Sequence, residues 1–211
     1  RVLLTTIHQH DTPVADLEAE RILRSRHLAG SVCDPEFHER AVQSVGRALS
    51  ASLSHTQVID AVGMGQAEVR QVASNRRYHL SDGGIRFDRM SATRNALAIA
   101  GEDGLIDPWL RTLSFWRGDQ AVAAISFYAV HPMSYYGQGE VSADFPGLAR
   151  RQRQLEMPGV FQIYSSGCSG NVTAGKYNDG SRENRPVLAD RLHQAMQSAW
   201  STTRREPLRE G

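Results

Sequence analysis

Two runs, LRTLSFW (Leu110–Trp116) and QAVAAISFYAV (Gln120–Val130), are joined by RGD (Arg117–Asp119), and this stretch decides the fold. Both runs carry the β-branched and aromatic residues typical of strands, and Gly118 with Asp119 supplies turn chemistry, so the pair reads as a hairpin. A hairpin makes its strands antiparallel, which excludes a wholly parallel sheet.

Outward from the hairpin, the chain alternates strand-like and helical segments. Arg1–Ile7 is β-branched and apolar and reads as a strand. Asp34 and Pro35 make a capped helix start, and Phe37, Ala41, Val45, Ala48 and Leu49 share one face of a helix running to about Leu53. Gln57–Val72 reads as a strand or hairpin interrupted at Gly63 and Gly65. His79–Gly104 has little periodicity and reads as a surface excursion. Asp144 caps a helix with Phe145, Leu148, Ala149 and Leu155, which ends at Pro158-Gly159 before a strand from Val160 to Tyr164. A last amphipathic helix, with Pro186 near its start, turns Leu188, Leu192, Ala195 and Ala199 inward. The predicted fold class is α/β, a mixed β-sheet flanked by helices.

The chain has 211 residues, 40% hydrophobic and 22% charged, enough for one sizeable core and one domain. Its 24 Lys and Arg are spread among 23 acids, leaving a net charge of +1 and no basic face to neutralise a phosphate backbone. Nucleic acid is not expected as a partner. The longest apolar run, Ala121–Val130, is about half of what a membrane-spanning helix needs. Cys33 and Cys168 are too few for a disulfide framework. The chain begins at Arg1 and enters a strand directly, so an N-terminal portion is expected to precede it.

Three predicted strands end in polar clusters: His8 to Pro13, His131 with Pro132, and the loop Ser165–Thr173. Ligands of α/β sheets bind beyond such strand ends. Residues two apart on a strand share a side, so His8 and His10 face one pocket if the strand reaches that far. They then hold a metal, or they are plain polar residues at a strand terminus. His131 follows ten apolar residues; it is a further ligand or a structural histidine bonded to backbone. Asp11, Glu140 and Asp144 are the available carboxylates. Glycines at 167 and 170 permit the loop's amides to converge on an anion or oxyanion, with Ser169 or Thr173 as a hydroxyl nucleophile, unless the loop is a solvated turn. The loop lacks the Gly-Lys-Ser/Thr ending of a nucleotide-binding phosphate loop. Cys168 has no neighbouring histidine in sequence to make it a nucleophile.

In order along the chain, these clusters resemble the neutral, non-lysosomal ceramidase family. Thr6-Ile7-His8-Gln9-His10-Asp11-Thr12-Pro13 resembles the family's Thr-His-Thr-His-Ser-Gly-Pro segment, and Phe127-Tyr128-Ala129-Val130-His131-Pro132-Met133-Ser134 its Phe-Ala-Val-His-Gly/Pro-Thr-Ser segment. Ser142-Ala143-Asp144 is similar to the Ser-Gly-Asp that follows, and Ser74-Asn75-Arg76-Arg77 to an Asn-Arg-Ser-Pro segment. Gly170-Asn171-Val172-Thr173 is similar to Gly-Asp-Val-Ser, so Thr173 stands where that family has its nucleophilic serine.

The resemblance implies zinc held by His8 and His131, with His10 as a transition-state or proton-transfer partner and Arg76 near the nucleophile. It implies that the remaining zinc ligands, a glutamate and a tyrosine, lie outside the chain. The 211 residues are then an incomplete catalytic domain lacking N- and C-terminal parts, from a hydrolase cleaving the amide of a small molecule or a lipid such as an N-acylsphingosine. A secreted or periplasmic setting is implied as well. Two alternatives stand beside it. One is a metallohydrolase of a smaller amide or ester in which zinc-bound water attacks and Thr173 only lines the pocket; the other is a catalytically silent binding module. With half its ligands, the chain alone is expected to bind metal weakly.

Overall fold

The computed structural model describes residues 8, 10–135, 137 and 140–209. In chain order its elements are α1 (Leu17–Arg24), α2 (Pro35–Ser52), β1 (Ala61–Glu68), β2 (Ser74–Asn75), β3 (Tyr78–His79), β4 (Ile85–Arg86), α3 (Ala96–Ala100), β5 (Trp109–Arg117), β6 (Gln120–Tyr128), α4 (Asp144–Glu156), β7 (Phe161–Ser166), β8 (Val172–Thr173), α5 (Asn184–Ser201) and β9 (Arg204–Pro207). The strand expected over residues 1–7 lies outside the described residues. The chain divides into two compact units, Thr12–Val58 and the remainder.

In the remainder, one mixed sheet runs β7-β6-β5-β1-β9. The hairpin forms as the sequence predicts, with β5 antiparallel to β6 and Arg117 facing Gln120 across the turn. Among the described residues only β6 and β7 run parallel, with Tyr128 beside Ser166 at their carboxyl ends. The fold is α/β, a mixed sheet flanked by helices. Alternate residues of β5 and β6, among them Leu110, Thr112, Ser126 and Tyr128, are buried on one face, as the two-residue strand period requires. There they join a core completed by Phe145 and Ala149 of α4 and by Leu188, Leu192, Met196 and Ala199 of α5. The opposite face leaves Met64, Trp109 and Phe127 exposed.

Gly63 and Gly65 do not interrupt β1. An added Cβ at Gly65 would stand 2.0 Å from the Ala199 carbonyl oxygen and one at Gly63 2.5 Å from Ser114 Oγ, so Gly65 lets α5 lie close on the strand and Gly63 leaves room for the Ser114 side chain of β5. The excursion His79–Gly104 contains the end of β3, its antiparallel partner β4, and α3. β9, which the sequence pattern does not announce, pairs antiparallel with β1.

In the Thr12–Val58 unit, Asp34 caps α2 by accepting from the amides of Glu36 and Phe37, and Pro35 opens the helix. None of α2 is buried, and Phe37, Val45 and Leu49 of its apolar face are exposed. Glu20 of α1 is buried and accepts hydrogen bonds from the amides of Gly30, Val32 and Cys33. No helix among the described residues is long and apolar enough to cross a membrane.

Candidate metal centre

Because β6 and β7 are parallel neighbours, the segments leaving their carboxyl ends emerge on one edge of the sheet. The Gly167 amide donates to the Tyr128 carbonyl, tying the two exits together. His131 follows β6, and its Nδ1 lies 2.7 Å from the Ser169 carbonyl oxygen in the segment after β7. A carbonyl only accepts, so Nδ1 carries the proton and Nε2 the lone pair.

The loop after β7 organises the rest of the edge. The Asn171 carbonyl accepts from the Arg76 amide and the Val172 carbonyl from the His131 amide. Thr173 pairs with Ser74 across the β2–β8 ladder. The groups this loop turns to the backbone of Arg76 and to His131 are therefore carbonyls, where the glycine spacing predicts converging amides.

His8, His10 and His131 come together. One ring nitrogen from each lies within 4.8 Å of the others, and this is the metal-competent cluster among the described residues. The His8 ring centroid stands 4.9 Å from that of His10 and 4.6 Å from that of His131, both edge-on. His8 is exposed, His10 half-buried and His131 buried. Burial, with His8 next in weight, holds His10 below the usual imidazole range despite the opposing charges of Asp11 and Asp144. Burial holds His131 low as well, with the Ser169 carbonyl opposing and Arg76, His8 and His10 adding to the effect. The set fits zinc in chemistry: neutral imidazoles, one oriented by a backbone carbonyl behind it. Two zinc–nitrogen bonds of about 2 Å laid end to end span about 4 Å, so the rings are nearly close enough to share one ion as they stand.

The three candidate carboxylates stay out of the cluster. Asp11 Oδ1 accepts from the Gly137 amide, Glu140 is exposed, and Asp144 accepts from the amide and hydroxyl of Ser134. Asp144 is also not the helix cap the sequence suggests: Ala143 is the N-cap residue of α4, and Asp144 is its first residue, with its carboxylate turned to Ser134 and Arg185.

Arg76 is close enough for its charge to depress both His10 and His131. Its Nε is buried, and among the described residues it has no hydrogen-bond partner. Thr173 is fully buried; its hydroxyl donates to the Met90 carbonyl at 2.7 Å and accepts from the Gly175 amide. Ser169 is buried and Cys168 is exposed.

Sequence reasoning did not find Arg185, whose guanidinium bonds Ser134, Tyr135, Ser142 and Asp144. A signal existed: an arginine in the first turn of a helix opposes the helix dipole and calls for some other partner.

No family model matches the chain, and no curated protein does. Among solved structures, the neutral ceramidase of Pseudomonas aeruginosa matches 80% of this chain with a TM-score of 0.58 and 19% identity, a likeness of fold. A ceramidase complexed with C2 matches 67% of the chain at 20% identity and a TM-score of 0.47, over 22% of its own length. The chain spans about a quarter, 27%, of the length of the Pseudomonas structure.

Proposed function

We propose that residues 1–211 belong to the catalytic domain of a zinc-dependent hydrolase of the ceramidase type, cleaving the amide bond of a lipid or other small molecule. The observation that carries the reading is the convergence of His8, His10 and His131, with His131 Nδ1 committed to a backbone carbonyl. The ceramidase-like fold, covering 80% of the chain, supports it.

In this reading His8 and His131 hold the metal, with further ligands from outside the chain. Bound zinc supplies Lewis acidity that polarises the amide carbonyl. His10, kept neutral by its surroundings, accepts and returns a proton at the reacting centre. Arg76 supplies its Nε–H to the charge that develops on the carbonyl oxygen. Of the two attacking groups in question, a water is favoured over Thr173. The Thr173 hydroxyl donates to Met90, and attack would require breaking that bond in a fully buried site.

The test is metal content after exhaustive dialysis of the full-length protein, comparing wild type with His8→Ala and His131→Ala, followed by assay on N-acyl amides. One zinc per chain that both variants lose, with amide cleavage, is the expected result. A metal-free wild type would overturn the reading in favour of a silent binding module.

A further inference from the structure

We infer that Arg185 is a positioning residue: with Asp144 it clamps the segment bearing His131 to the segment bearing His10, and so sets the spacing of the three imidazoles. The inference rests on the reading above in that the imidazoles are taken to act together.

Arg185 is the second residue of α5, and its side chain is 11% exposed. Its Nε donates to Ser134 Oγ at 3.0 Å and its Nη1 to Ser142 Oγ at 3.0 Å. Its Nη2 donates to the Tyr135 carbonyl at 2.9 Å and to Asp144 Oδ2 at 3.1 Å. The flat face of the guanidinium lies 3.5 Å from the centroid of the Tyr135 ring. Only a planar fork makes this set of bonds while stacking; a lysine ammonium cannot.

The bonds converge on the residues just after His131. Every polar atom of Ser134 is held: its amide and hydroxyl donate to Asp144 at 3.0 and 2.6 Å, and its carbonyl accepts from Asn178 Nδ2 at 2.5 Å. The other histidine segment is tied to the same frame. Asp11, which follows His10, accepts from Gly137 through its carboxylate and from the Ser142 amide through its carbonyl. Its Oδ2 lies 4.0 Å from Arg185. Asp11 and Asp144 both adopt left-handed backbone, φ 40° and 50°, a conformation that persists when its surroundings fix it.

A buried ion pair is weak support for stability alone, since apolar residues of similar volume often serve as well. What the pair adds is direction: bonds that fix Ser134, Tyr135 and Ser142 relative to one another.

The test compares Arg185→Lys and Arg185→Met with wild type in two ways on the full-length protein: imidazole 1H–15N spectra of the metal-free form, and Co2+ titration followed by visible absorption. In Arg185→Met the ring resonances of His10 and His131 are expected to move and Co2+ affinity to fall roughly tenfold or more, with Arg185→Lys between it and wild type. Ring resonances identical to wild type in a folded variant would overturn the inference. If Arg185→Met fails to fold, Asp144→Asn, which keeps the shape and removes the charge, carries the same comparison. Absence of Co2+ binding by wild type overturns the zinc reading; the clamp is still decided by the imidazole spectra.

Discussion

His131 Nδ1 lies 2.7 Å from the Ser169 carbonyl oxygen, so a backbone group on the segment after β7 fixes the tautomer of a histidine on the segment after β6. The parallel pairing of those strands makes the bond possible, since it delivers both exits to one edge. The ring is then oriented before any ligand arrives, a common arrangement behind metal-binding histidines. His131→Ala is expected to lower zinc affinity of the full-length protein by more than the roughly ten- to hundred-fold that loss of an outer partner costs. Cys168→Ser, one residue from Ser169 but exposed, is expected to leave it unchanged. Competition titration with a chromophoric chelator reads both.

Gly65 and Gly46 make opposite predictions for the same substitution. A Cβ at Gly65 would stand 2.0 Å from the Ala199 carbonyl oxygen, backbone against backbone, so Gly65→Ala forces α5 away from β1. Overpacking of this kind costs about 1–3 kcal/mol or more. Gly46, inside α2, has nothing within 4 Å of its added Cβ, and Gly46→Ala is expected to stabilise that helix by up to about 1 kcal/mol. Urea unfolding of the two variants, followed by circular dichroism, checks the signs.

Thr173 separates structural from chemical use of a hydroxyl. Thr173→Val keeps the shape but leaves the buried Met90 carbonyl without its donor, at about 1–3 kcal/mol. The expected outcome is reduced stability with zinc affinity unchanged and amide cleavage retained. Loss of cleavage in a folded, zinc-loaded Thr173→Val, with recovery in Thr173→Ser, would instead make the hydroxyl the attacking group.

Glu20 makes a pH-dependent contribution to the Thr12–Val58 unit. The Gly30 amide, followed by those of Cys33 and Val32 and the charge of Arg24, holds its carboxyl below the usual glutamate value although burial opposes them. With the folded value depressed, the carboxylate's contribution to stability is fully present above the unfolded glutamate value and is lost as pH falls through the folded one. The Gly30 amide resonance is therefore expected to titrate with a midpoint below the ordinary glutamate value. In Glu20→Gln that transition is expected to vanish and the unit to melt at lower temperature at neutral pH.

What the sequence makes legible here is what local pattern encodes. The hairpin of β5 and β6 follows from two strand-like runs and a Gly-Asp turn, and α2 from Asp34 and Pro35. The histidines are legible because an H-x-H pair and a histidine ending a buried strand are unusual local facts. β9 is not legible: its residues Arg204–Pro207 are all exposed and join β1 through backbone bonds that leave no side-chain pattern. Gly63 and Gly65 read as interruptions because the groups that need the space, Ser114 beside Gly63 and the Ala199 carbonyl beside Gly65, lie far along the chain. Arg185 is hidden for the same reason, with hydrogen-bond partners 41 to 51 residues distant.

Beside the histidine cluster, Arg76 carries a buried donor, Nε, that no described residue satisfies. Its charge works against protonation of both His10 and His131. A buried donor left unsatisfied costs about 1–3 kcal/mol, and native proteins keep such costs chiefly where function requires them. Arg76→Met removes the orphaned donor while keeping an apolar stem of similar length. The variant is expected to be at least as stable as wild type in urea, while amide hydrolysis by the full-length protein falls by a factor of about 100 or more, the scale of losing one oxyanion-stabilising donor. Arg76→Lys, which keeps charge but not the Nε–H, is expected to recover part of the rate. Loss of stability alongside unchanged turnover would reassign the Arg76 side chain to the scaffold.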